Sequence, residues 1–128
     1  MSSRVSCCII VLKFVINMPI AYGGPSPIDV PYVKVFDGEC NNGSELRMYD
    51  GNGDNPGKTA EDKVAACSHA CITKRKPLNG KWDDFIPKGF IVNPASGRCY
   101  CESWDVFTCE LKSNDFYDRY NWISLGRL

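Results

Sequence analysis

The sequence has a single histidine, His69, and no excess of charge, with 15 lysines and arginines against 15 aspartates and glutamates. Neutrality removes the electrostatic basis for a nucleic-acid partner. No serine nucleophile motif, phosphate-binding loop or metal triad accompanies the lone histidine, and no spacing singles out a pair of carboxylates. These absences point away from an enzyme, and no catalytic residue is assigned. No two cysteines have Cys-x-x-Cys spacing, which weighs against zinc. No apolar run reaches the roughly 20 residues a membrane-spanning helix needs, because Lys13 interrupts the longest one. Internal repeats and low-complexity tracts are also missing.

What is present is cysteine. Eight in 128 residues, an even number at irregular spacing, favour an oxidising compartment. Arg4 supplies a positive start, residues 5–20 are mostly apolar, and Ala21 and Gly23 place small residues where a signal peptidase reads. Residues 1–22 are therefore expected to be a signal peptide, a membrane anchor or an arm that contacts a partner. Cys7 and Cys8 read as small apolar residues within that segment. Gly23, Gly24, Pro25, Pro27 and Pro31 mark a stiffened linker over residues 23–31. A domain is expected over residues 32–123, with residues 124–128 as a tail.

Within the domain, Tyr32–Phe36 has strand composition and ends at an Asp37-Gly38 turn signal. Residues 45–49 suit a short strand between two loops rich in Asn, Gly and Asp. A helix is predicted from Thr59, whose hydroxyl can cap the N–H of Asp62, with Glu61 and Asp62 at the positive helix end. Val64, Cys67, Cys71 and Ile72 then share one helical face. Lys74, Arg75 and Lys76 are expected to close the helix before Pro77. An irregular insert with Trp82 and Phe85 follows. Residues 89–93 and 98–103 read as a hairpin around Pro94-Ala95-Ser96-Gly97, and a last strand is expected over about residues 117–123.

Cys67 and Cys71 lie on one face of the predicted helix, and Cys99 and Cys101 on one face of a predicted strand. That geometry favours Cys67 and Cys71 bonding to Cys99 and Cys101, in either order. Cys40 is then left for Cys109.

The Cys-x-x-x-Cys helix at residues 65–71, the hairpin at residues 89–101 and the closing Tyr117-Asp118-Arg119-Tyr120 together resemble the PAN/apple family, over about residues 30–123. The resemblance implies an α+β fold in which one helix packs on a small twisted antiparallel sheet and is stapled by disulfides. It further implies a non-catalytic module that mediates protein–protein or protein–carbohydrate contacts, secreted or on an extracellular surface. A second reading is an accessory structural subunit of a large membrane assembly, photosynthetic or respiratory, with a lumenal domain and membrane or subunit contacts through residues 1–22.

Two further sites are expected. Asp50, Asn52, Asp54 and Glu61 place oxygens at positions one, three, five and twelve of a calcium loop, although Lys58 stands where another donor belongs. A solvated Asn/Gly/Asp turn is the favoured reading of the same stretch. Asn42-Gly43-Ser44 is a glycosylation sequon.

Overall fold

The computed structural model describes residues 30–41 and 43–123. Among the described residues, seven strands and one helix follow in the order β1 (Tyr32–Phe36), β2 (Gly38–Cys40), β3 (Glu45–Tyr49), α1 (Ala60–Ile72), β4 (Gly89–Val92), β5 (Cys99–Glu102), β6 (Leu111–Ser113) and β7 (Asp118–Trp122). Five of the strands form one sheet in the order β1-β7-β4-β5-β3, and every neighbouring pair is antiparallel. The remaining two, β2 and β6, pair with each other. The fold is thus a small disulfide-rich α+β domain. The expectations for residues 1–22 and the tail at residues 124–128 lie outside the described residues, as do Asn42 and most of the linker.

Helix α1 forms where the sequence marks it. Thr59 is extended and its Oγ1 accepts from Asp62 N at 3.1 Å, while Glu61 and Asp62 stabilise the first turn. Val64, Cys67, Ser68 and Cys71 repeat at helical spacing and are buried against the sheet. Met48, Phe90, Val92, Cys99 and Cys101 meet them there with essentially no solvent exposure. Tyr32, Tyr120 and Trp122 close one flank, with the Phe90 and Tyr120 rings stacked at 5.1 Å between centroids. Trp122 Nε1 donates to Ser68 Oγ at 2.8 Å, which gives the indole a polar partner inside that flank.

The basic trio does not close the helix as expected. The helix ends at Ile72 with Thr73 as its C-cap. Arg75 N then donates to Ala70 O at 3.0 Å and Lys74 N to Cys71 O, the paired bonds of a Schellman cap. Lys74 therefore sits at φ 54°, a left-handed position that favours glycine. Lys74→Gly is expected to stabilise the domain by about 0.5–1 kcal/mol, the relieved strain less the added freedom of the unfolded chain. Thermal denaturation should show Tm rising by a few degrees, and a fall would show that Lys74 contributes more than its backbone.

The cysteine framework is Cys67–Cys99, Cys71–Cys101 and Cys40–Cys109. Four residues along a helix advance about 6 Å and two along a strand about 6.6 Å, so both helix bonds close together when α1 runs in the direction of β5. These disulfides indicate an oxidising, non-cytosolic compartment. Among the described residues, no helix is long and apolar enough to cross a membrane.

All four residues of β4 are buried because both faces of the sheet are covered. Phe90 and Val92 face the helix. Gly89 and Ile91 face the other way, toward the β2–β6 ribbon and the connection after β5, which brings in Val106.

Candidate functional site

On a strand, residues two apart share a face. Glu102 therefore points away from the helix that Cys99 and Cys101 meet, and Arg119 points away from the aromatic flank built by Tyr120. As charged residues both would ordinarily face solvent. In the fold both are buried, under β2 and the Cys40–Cys109 bond.

Arg119 Nη1 donates to Glu102 Oε1 at 2.7 Å and to Cys40 Sγ at 2.9 Å. Its Nη2 donates to Trp104 O at 2.9 Å and Asn121 Oδ1 at 3.0 Å, and Nε to Tyr120 O at 3.2 Å. A buried guanidinium needs this degree of satisfaction to offset its lost hydration. Room for it comes from Gly89, since a methyl group there would overlap the guanidinium. Gly89 also stands directly between Glu102 and Asn121 in the strand register. The missing side chain is the slot in which the arginine lies.

Glu102 has a second neighbour. Glu45, the first residue of β3, is its direct cross-strand partner. The two carboxyls are within hydrogen-bonding reach of each other, and such a bond exists only if one of them carries a proton. Glu102 Oε2 is buried and receives no donor from any other side chain or backbone group, so it lies free beside the Glu45 carboxyl. Burial pushes the Glu102 carboxyl up to about 8, against the pull of Arg119, and Glu45 adds to the rise. Burial also raises Glu45, as does the charge of Glu39. Two such neighbours titrate as a unit, the ionisation of one raising the proton affinity of the other. Glu45 lines an open polar cleft of about 450 Å³ together with Glu39, Cys40, Asn41, Gly43 and Asn79.

The connection after β5 starts at this cluster. Ser103 N donates to Ser44 O, and Ser44 N to Ser103 Oγ, each at 3.1 Å. The Trp104 indole lies against Gly43, where any side chain would collide with it. Beyond it the connection exposes Phe107 (87%), Leu111 (46%) and Phe116 (71%). Cys109 ties this stretch to β2.

The candidate calcium stretch is a turn tied down by its own carboxylates. Asp50 Oδ1 lies 2.9 Å from Arg47 Nη1 and 3.3 Å from Arg98 Nη2. The Asp54 carboxylate accepts from the N–H groups of Asp50 at 2.7 Å and Gly51 at 3.1 Å. Glu61 serves the first turn of α1, and Asn52 is exposed. Among the described residues, the one trio of metal-type side chains that converges is Cys67, Cys71 and Cys99, all in disulfides. The Asp50, Asn52, Asp54 and Glu61 set therefore fits calcium poorly, because arginines and backbone donors already answer its charge.

His69 is exposed on α1 and lines a groove of about 360 Å³ with Pro31, Tyr32, Ala65, Ser68 and Ile72, with no nucleophile or acid among them suited to work with it. Trp82, Tyr120 and Trp122 pack against the core, leaving Trp104 as the one exposed tryptophan. Arg75 is exposed and stacks over the Tyr49 ring at 4.8 Å. No local pattern in the sequence marks the Arg119–Glu102–Glu45 cluster. The nearest signal was the Cys40 and Cys109 pairing, which must lie on the face opposite the helix once the other four cysteines are used. Comparison with known proteins finds no matching family model, no matching curated protein and no matching solved structure.

Proposed function

We propose that this domain is a non-catalytic binding module of a secreted or lumenal space, and that it holds a protein partner through the connection between β5 and β7. The observation that carries this reading is Phe107, a large aromatic side chain left 87% exposed two residues before a disulfide cysteine. Burying a phenylalanine is worth about 1.5–3 kcal/mol. A loop already fixed by a disulfide loses less entropy when it docks. Phe116 and Trp104 lie on the same connection and extend the apolar surface. Aromatic anchors of this kind dominate the energetics of protein interfaces. The disulfide-stapled helix on an antiparallel sheet supports the PAN/apple-like reading, whose members work as recognition modules.

The test is Phe107→Ser combined with Phe116→Ser. Neither side chain supports the core, so Tm should be unchanged. Cross-linking in the native secretory or lumenal fraction should give discrete adducts with the wild type and at least tenfold less with the variant. Adducts of equal yield would sink the proposal. Binding to a glycan array that is lost in Trp104→Ala would reassign the same surface to carbohydrate.

A further inference from the structure

The Glu45–Glu102 pair sits where the apolar connection is tied down. Glu102 immediately precedes Ser103 and Trp104, and Glu45 immediately follows Ser44. The Ser44–Ser103 bonds, the Arg119 bond to Trp104 O and the seat of Trp104 on Gly43 all lie within two residues of one of the two carboxyls. We propose that this carboxyl pair is a proton-operated lock on the connection that carries Trp104 and Phe107, closed while the pair holds one proton and released when both groups are ionised. Its biological meaning rests on reading that connection as the binding surface, but the lock itself is measurable without a partner.

The groups around the pair set its direction. Among the described residues, Arg119 on β7 is the one cation in contact, and it is committed to Glu102 Oε1. Glu39 on β2 adds negative charge beside Glu45, with Lys112 of β6 opposite it in the register. Asp105, after β5, draws on Arg119. Gly89 on β4 contributes no charge, and Cys40 is in a disulfide. With the proton present, the carboxyls attract through an O–H···O bond. Without it, two adjacent carboxylates share one guanidinium. The weaker-held member is then driven out, and Glu45 has somewhere to go. It begins β3, an edge strand of the sheet, and borders the polar cleft. As it leaves, it loosens the Ser44–Ser103 bonds and the floor under Trp104.

The pH sense follows from the proton. A glutamate in the unfolded chain ionises near 4.5, whereas burial pushes Glu102 up to about 8, and the proton so retained is shared with Glu45. The folded state therefore binds more protons between those values. The stability the pair contributes is complete below 4.5 and is lost as pH rises toward 8.

The experiment uses the full chain labelled with fluorotryptophan, its Trp104 resonance assigned by Trp104→Phe. The Trp104 signal should titrate in one step above pH 7, and amide protection at Ser44 and Ser103 should fall at least tenfold between pH 6 and pH 9. Glu45→Gln replaces the shared proton with a permanent amide donor, so the step should vanish with the loop held throughout. Glu39→Gln, a milder change, keeps the step but should move it to lower pH. A Trp104 signal that is flat from pH 5 to pH 9 would overturn the lock, as would a step that persists in Glu45→Gln or ignores Glu39→Gln. Loss of cross-linking in the serine variants is a separate readout. A lock without a partner and a partner without a lock would therefore be told apart.

Discussion

Replacing Cys67, Cys71, Cys99 and Cys101 together by alanine is expected to leave a chain with no cooperative thermal transition at room temperature or above. The two bonds span 32 and 30 residues, and loops of that size are worth about 3–4 kcal/mol each through the unfolded chain. The bonds are neighbours, so their losses will not add strictly. Even so, the sum is comparable to the total stability of about 5–15 kcal/mol of an ordinary small domain. Packing deepens the loss. All four cysteines are fully buried in the main core between α1 and the sheet, so each truncation also leaves a void. Far-UV circular dichroism should show the helix gone.

Loop entropy alone ranks the three bonds differently. Cys40–Cys109 spans 69 residues, so chain entropy assigns it the largest single contribution. Its position argues the other way. It holds the β2–β6 ribbon and the apolar connection, while the five-stranded sheet and helix keep their own contacts. Cys40→Ala with Cys109→Ala is thus expected to stay folded, with fast amide exchange confined to β2, β6 and the connection. Chemical denaturation of this pair and of either helix-bond pair decides between the two accounts. If the Cys40–Cys109 variant proves the least stable, loop entropy outweighs packing here.

Gly89→Ala is expected to destabilise the domain by about 3–5 kcal/mol, the range for breaking a buried ion pair. Backbone preference predicts the opposite sign, since glycine in a strand is entropically costly and Gly89 does not have a positive φ. The loss is steric and electrostatic. A methyl group at residue 89 occupies the slot of the Arg119 guanidinium, which then loses Glu102, Cys40 Sγ and Trp104 O together. The guanidinium then has no water to fall back on. The check is urea denaturation, in which the midpoint should fall with an unchanged slope. The same substitution in an Arg119→Leu, Glu102→Leu background should cost under about 1 kcal/mol, because the apolar pair no longer needs the slot. An equal loss in both backgrounds would place the defect in the strand itself.

How much was legible in advance depends on the range of the cause. The helix from Thr59, the β4–β5 hairpin and the terminal strand follow from signals a few residues long: a capping hydroxyl, a Pro-Ala-Ser-Gly turn, an alternation of apolar residues. The ribbon of β2 and β6 was not legible. Its strands are three residues each, lack apolar alternation and meet only across the chain. The helix end was misplaced for a related reason. Lys74–Lys76 suits a helix C-terminus by charge, but the chain turns earlier to carry the insert back, where Trp82 Nε1 finds Arg75 O at 2.7 Å. The loop at Asp50 and Asp54 had the composition of a cation site, and the arginines that answer its charge come from β3 and the far hairpin.

By itself, the sequence determined that one helix face and one strand face would carry matched thiols, because side-chain periodicity is a property of local backbone geometry. It thereby favoured Cys40 and Cys109 as each other's partners, the pairing that the structure shows. Only the tertiary structure decided the order of the two helix bonds, since that depends on the direction in which α1 crosses β5. It alone also decided that Glu102, Glu45 and Arg119 meet out of water. Burial of charge depends on what covers a face, and here the cover comes from segments far away in the chain.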